Sequence, residues 1–189
     1  MRRESPKRGR RLPLPEKVGR PIGTKKGERG YRRSSPIAEL AEVLSNDFTY
    51  VKPPYELIDH TADLGMRVRG ESLENLFENA GLALFDILTD VTLVRRHSRS
   101  EISLKAESVE DLFVAWLREL LYLFYVRKKL FCAFQIIKFK ETSLAAVCWG
   151  EQYDSQRHIL LTEIKAVTYH ELSITRTQSG WEAQAIFDV

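Results

Sequence analysis

The chain has 189 residues, 29 Lys plus Arg against 26 Asp plus Glu, and a formal net charge of +3 at pH 7. That length fits one folded domain with an extension, at roughly 150 residues per domain, and a body of that size buries about two thirds of its unfolded surface without a disulfide or metal staple. The longest unbroken apolar run, Leu120–Val126, has seven residues against the roughly 20 needed to cross a bilayer, so no transmembrane helix is expected.

The charge is unevenly spread. Residues 1–36 carry thirteen basic and three acidic side chains, a net +10, which leaves −7 on the other 153 residues. This segment is rich in Arg, Lys, Gly and Pro, and its few large apolar groups cannot offset the entropy of ordering it. A disordered basic tail is predicted. It is basic like the start of a signal peptide, but Leu-Pro-Leu-Pro stands where an apolar stretch of about 7–15 residues should follow, so a cytoplasmic protein is expected. Two roles are open for the tail. It can be a solubilising extension, or it can touch RNA phosphates, each neutralised phosphate adding about −0.7 to the salt slope of binding. Tyr31 alone gives no stacking platform for bases.

Residues 37–54 read as a short helix and a lead-in. Ser35 can cap, Pro36 suits the first helical position, and Ile37, Leu40, Ala41 and Leu44 recur at helical spacing. The remainder, residues 55–189, has the grammar of a folded domain. Strands are predicted at Tyr55–Ile58 and at Leu64–Val68, where Leu64, Met66 and Val68 alternate with Gly65, Arg67 and Arg69. Ser72 caps a helix whose Leu73, Leu76, Phe77, Ala80, Leu84, Ile87 and Leu88 trace one apolar stripe. A strand follows at Glu101–Ala106. Ser108-x-x-Asp111 then opens the main core helix, with Leu112, Phe113, Trp116, Leu117, Leu120, Leu121 and Phe124. Further strands are predicted at Phe131–Lys140, Ser143–Gly150, Glu163–Val167, Glu171–Arg176 and Trp181–Phe187, with Gln178-Ser179-Gly180 turning between the last two. The predicted class is α+β, two main helices packed on a mainly antiparallel sheet of about seven strands.

Cys132 and Cys148 lack the close partners of a zinc or CxxC motif and read as buried free thiols, with a disulfide between neighbouring strands left open. Three polar clusters can carry chemistry. Asp59-His60-Thr61-Ala62-Asp63 joins two strands; two carboxylates and an imidazole there can bind a cation or move protons, while the same residue types also make ordinary turns. In Glu163–Glu171, strand geometry puts Glu163, Lys165, Val167 and Tyr169 on one face and His170 on the other, which is either a site or a solvent-facing stripe. The last cluster is Asp188 with the carboxylate of Val189, pinned by an apolar strand that runs almost to the end; paired hard oxygens suit Ca²⁺ or Mg²⁺. Gly-rich phosphate loops, Gly-x-Ser-x-Gly and His-Glu-x-x-His are missing from the body.

Taken together, the run Tyr55–Gly65 containing His60-Thr61-Ala62-Asp63, the helix start Ser72–Glu78, the run Glu163–His170 and the ending Phe187-Asp188-Val189 closely resemble the archease family over residues 55–189. The resemblance implies a small α+β accessory protein of the RtcB-type RNA ligase of transfer-RNA splicing and RNA repair. Such a protein is not itself an enzyme; it promotes ligase guanylylation and restores stalled ligase. The resemblance also implies a metal site at Asp63, Asp188 and Val189, for Ca²⁺ with Mg²⁺ or Mn²⁺ as alternatives, and further roles for His60, Lys165, His170 and, ranked lower, Asp59. Converging carboxylates repel by on the order of 4 kcal/mol per pair at about 4 Å and an effective dielectric near 20, a cost that a divalent cation relieves. A stand-alone metal-dependent enzyme acting on RNA ends, with His60 or His170 as base, and an RNA-binding module driven by the tail are the rival readings. RNA is thus reached through the ligase or through the tail, and no membrane is involved.

Overall fold

The computed structural model describes residues 51–59 and 63–189; the predicted basic tail at 1–36, the short helix that begins the 37–54 segment, and residues 60–62 lie outside the described residues. The described strands are β1 (Tyr55–Asp59), β2 (Asp63–Gly70), β3 (Ser98–Lys105), β4 (Lys129–Lys140), β5 (Ser143–Gln152), β6 (Ala166–Val167), β7 (Ser173–Thr177) and β8 (Gly180–Asp188), and the long helices are α1 (Leu73–Leu88) and α2 (Val109–Arg127). The α+β class and the antiparallel pairing are as predicted. The strands divide into two sheets, one ordered β1-β2-β8-β6 with β7 also on β8, the other ordered β3-β5-β4.

Both helices start where the sequence places a serine. The Ser72 Oγ accepts from the Asn75 N–H at 3.2 Å, and the Ser108 Oγ accepts from the Asp111 N–H at 3.1 Å, each satisfying a donor that has no partner within the helix. Lys128 ends α2 in the left-handed region at φ 52°, its N–H bonded to the Leu123 carbonyl, so the chain turns directly into β4. The apolar stripe of α1 packs on both β2 and β4, and α2 packs on α1, β3 and β4, which places the helices between the two sheets' inner faces. Phe77, Phe85, Phe113, Trp116 and Phe131 are wholly inaccessible there. The Phe77 ring meets Phe113 edge-on at 5.1 Å, and the Trp116 indole N–H donates to the Phe77 carbonyl at 2.9 Å, so the largest core side chain leaves no buried polar group unmatched.

Most strand boundaries fall within two residues of the pattern-based expectation, and three differences have a clear physical reason. β3 begins at Ser98 rather than Glu101, because pairing of Ser98 with Gly150 and Arg99 with Trp149 extends it where no apolar alternation announces a strand. The strand predicted at Glu163–Val167 shrinks to Ala166–Val167. Ile164 and Val167 are both buried while Lys165 and Ala166 are exposed, a spacing of three that the two faces of a strand cannot give, so the expected common face of Lys165 and Tyr169 does not form. The strand expected from Glu171 starts at Ser173, after a turn in which Glu171 has φ 50°. At the β7–β8 hairpin, Gly180 has φ +138° and a Cβ there would run into the Gly70 carbonyl oxygen, which explains why the turn closes on glycine.

Candidate metal centre

The outer face of the five-stranded sheet positions the predicted residues. Met66 and Val68 of β2 and Ala183, Ala185 and Phe187 of β8 point into the core. Their alternates therefore point outward, and the register pairs them in rows: Arg69 with Glu182, Arg67 with Gln184, Gly65 with Ile186, and Asp63 with Asp188. Directly opposed residues hold their Cβ atoms about 4.5–5.5 Å apart on one face. Asp63 and Asp188, 125 positions apart in the chain, thus present their carboxylates side by side at the end of the ladder. Asp63 is half-buried and Asp188 exposed.

Lys165 joins them. Its backbone N–H donates to the Asp188 carbonyl at 2.7 Å, and its ammonium donates to the main-chain oxygen of Val189, also at 2.7 Å. Ala166, next in the chain, pairs with Asp188 in β6. The edge strand too short to be read as a regular strand is therefore what brings the lysine to the chain's last residues.

His170 is placed elsewhere. Lys165 lies beside Asp188, Thr168 beside Ile186, and Glu171 beside Gln184, so His170 stands about four residues up β8 from Asp188, on the order of 13 Å at the usual rise. Its imidazole Nε2 is 3.7 Å from the Glu171 carboxylate. Tyr169 turns to α2, donating its hydroxyl to Asp111 at 3.0 Å with the Arg118 guanidinium 5.1 Å from its ring. The Asp111 carboxylate accepting that bond raises the tyrosine's pKa above its ordinary value. Asp59 ends β1 opposite Leu64, and His60 lies outside the described residues.

Among the described residues no three side chains of His, Cys, Asp or Glu converge closely enough to hold a metal ion. Register sets the Asp63 and Asp188 carboxylates opposite each other, and hard oxygen donors of this kind suit Ca²⁺, Mg²⁺ or Mn²⁺ better than softer ions. The Lys165 ammonium supplies part of the counter-charge within the same patch.

A second polar centre escaped the sequence reading. Glu151, at the end of β5, is 6% exposed and accepts from the Arg95 N–H at 2.8 Å and from both terminal nitrogens of Arg157 at 3.0 and 3.1 Å. His158, buried beneath it, accepts the Asp154 N–H on Nδ1 at 2.9 Å, which leaves Nε2 to donate to Glu151 at 3.1 Å. Arg157 foremost holds the Glu151 carboxyl at a pKa of about 2. Every charge in this cluster has its partner, and its effect is to fasten the segment after β5 to the body. Nothing in the spacing of Glu151, Arg157 and His158 announced it. Cys132 and Cys148 are free thiols, as the sequence favoured, and burial pushes both pKa values up.

The fold and site define a small α+β domain with a pair of carboxylates opposed at the open end of one sheet. Residues 55–189 match the family described as Archease protein family (MTH1598/TM1083). "Protein archease" of Methanosarcina barkeri is 42% identical over 139 residues, covering 71% of this chain and 95% of that protein; "Protein archease" of Pyrococcus furiosus is 36% identical, covering 71% and 98%. The solution structure of Methanobacterium thermoautotrophicum protein 1598 superposes with a TM-score of 0.60 at 30% identity, covering 71% of this chain and 98% of that one. The chain belongs to the archease family. No helix among the described residues is long and apolar enough to cross a membrane.

Proposed function

We propose that this chain is a cytoplasmic accessory protein of an RtcB-type RNA ligase, promoting the ligase's guanylylation and its repeated turnover in transfer-RNA splicing or RNA repair. Family membership supports the accessory role alongside an RNA ligase. The observation that carries the site assignment is the register pairing of Asp63 with Asp188. Two carboxylates at that separation repel by on the order of 3 kcal/mol at an effective dielectric near 20, less where water screens them. In the proposal Asp63, Asp188 and the Val189 oxygens hold a divalent cation, which supplies a compact positive charge at the sheet's end. The Lys165 backbone orients the last residues, through its N–H bond to the Asp188 carbonyl.

A stand-alone enzyme is less well supported, because His170, one of its two candidate bases, stands about four residues up β8 from the aspartates. The two readings separate in an assay of RNA joining and guanylylation with the ligase alone, this protein alone, and both together. Stimulation that requires the ligase is expected, and RNA joining by this protein alone would sink the partner reading.

A further inference from the structure

Positive charge in the folded body is gathered at one end of the three-stranded sheet. Residues 95–99, 127–129 and 151–157 hold seven of the sixteen basic side chains between positions 51 and 189 and two of the twenty acidic ones, Glu151 and Asp154. These segments carry a net +5, and the other positions in that range carry −9. The ladder brings the three segments together. Ser98 and Phe131 both pair with Gly150, and Lys129 pairs with Gln152, so the starts of β3 and β4 flank the end of β5 across about 10 Å. The Lys129 ammonium donates to the Ser100 hydroxyl at 2.8 Å, and Glu151 draws in Arg157 at 3.0 Å.

Complementing a helix end accounts for part of this charge, because Arg127–Lys129 stand at the C-terminus of α2, where cations are favoured. It does not account for Arg95, Arg96 and Arg99, which lie on no helix. Arg157 is committed to Glu151 and Lys129 to Ser100, whereas Arg95, Arg127 and Lys128 are exposed and have no carboxylate at ion-pair distance among the described residues. Beside them is a hollow of about 570 Å³ with His97, Ser98, Lys129 and Gln152 in its wall, within the size range of ligand pockets. Its two carboxylates are already engaged, Glu151 by Arg157 and His158, and Asp154 by the Gln156 N–H. The opposite end of the sheet is different: Lys105, Lys138 and Lys140 stand there with Glu107 and Glu141, a net +1.

We propose that the Arg95, Arg127 and Lys128 end of this sheet binds the phosphate backbone of single-stranded RNA. Guanidinium forks match phosphate oxygens bidentately, and charge spread over about 10 Å suits a run of phosphates better than one small anion. The choice of RNA among polyanions rests on the accessory role beside an RNA ligase proposed above. Position agrees with it. Tyr125 of α2 meets the Ile164 backbone; Arg127 is two residues further along the helix, and Lys165, bonded to Asp188, is the residue after Ile164. RNA held by the body is thereby kept at the same end of the molecule as the paired aspartates.

The test is a fluorescence-anisotropy titration of the full chain with a labelled single-stranded RNA, without ligase, at several salt concentrations. The variant R95Q/R127Q/K128Q should bind roughly tenfold or more weakly, and its log K against log salt slope should be shallower by about 2, at 0.7 per lost phosphate contact. The control K105Q/K138Q/K140Q removes the same charge from the opposite end and should change the slope by less than half as much. Residues 1–36 are unaltered in all three proteins, so their contribution is common to them. In the parent chain, RNA should shift the amide resonances of 95–99 and 127–129, a readout that needs no variant. An unchanged slope, an equal loss in both variants, or shifts that miss these amides would overturn the proposal. Retained RNA affinity with weakened binding of a polyglutamate peptide would also overturn it and assign the surface to an acidic protein. A chain that passes these tests but fails to stimulate guanylylation would break the accessory reading and leave the RNA surface standing.

Discussion

One ladder, β2 against β8, ends in two opposite ways. At the Gly70 end, Arg69 reaches Glu182 at 2.7 Å and Glu56 at 3.0 Å, and Arg67 reaches Glu56 at 3.2 Å, so each outward carboxylate faces a guanidinium. At the other end Asp63 faces Asp188, with the Lys165 ammonium on the Val189 oxygen. Backbone geometry is the same in both, antiparallel and in continuous register. The difference lies in the residue types set opposite one another. Opposed charges add about 0.2–1 kcal/mol per pair and like charges directly opposite subtract a similar amount, so the first end sets attracting charges across the ladder and the second sets like charges across it. A divalent cation, as proposed above, would offset the repulsion between the two opposed carboxylates.

The largest expected effect tests that contrast through the ligase. Asp63→Ala with Asp188→Ala should reduce stimulated guanylylation to the level of ligase alone, measured as labelled guanylate incorporation, while circular dichroism stays unchanged because neither side chain supports the core.

Glu151→Gln should do the reverse, costing roughly 2–4 kcal/mol of stability in urea unfolding by leaving Arg157 and His158 without their anion, with ligase stimulation intact in the folded fraction. Its pH dependence has a definite sign. The folded carboxyl titrates near 2 and an unfolded one near 4.5, so the contribution is full above about 4.5 and is lost as the pH falls toward 2.

A smaller change is expected at Lys165. Lys165→Met removes the resident counter-charge, so affinity of the folded chain for Ca²⁺ or Mg²⁺ should rise by roughly three- to tenfold, as expected for loss of a competing contact of about 1 kcal/mol. Fluorescence or calorimetric titration reads this directly. Smallest of all is the paired end. Arg69→Ala should cost less than about 1 kcal/mol and shrink further in high salt, because the pair is exposed.

How far the sequence led can be judged at these same residues. The alternation of Leu64, Met66 and Val68 with Gly65, Arg67 and Arg69 gave the face of β2, and the serines at 72 and 108 gave both helix starts, because those signals are local and repeated. The pairing of Asp63 with Asp188 is non-local, and no period in either strand encodes it; the family resemblance joined them, and the register showed how. Lys165 was named but placed on the wrong kind of strand, since two-residue β6 is made by its partner β8 rather than by its own pattern. The Glu151 cluster was illegible for a related reason: Arg95, Arg157 and His158 meet it across loops whose path no spacing dictates.

The most direct test is calorimetric titration of the folded chain with Ca²⁺ and with Mg²⁺, beside the variant Asp63→Asn with Asp188→Asn. Saturable binding is expected in the parent chain and is expected to disappear in the variant, together with a slightly more stable cation-free variant, since the opposed charges are gone. Equal binding in both proteins would contradict the cation site.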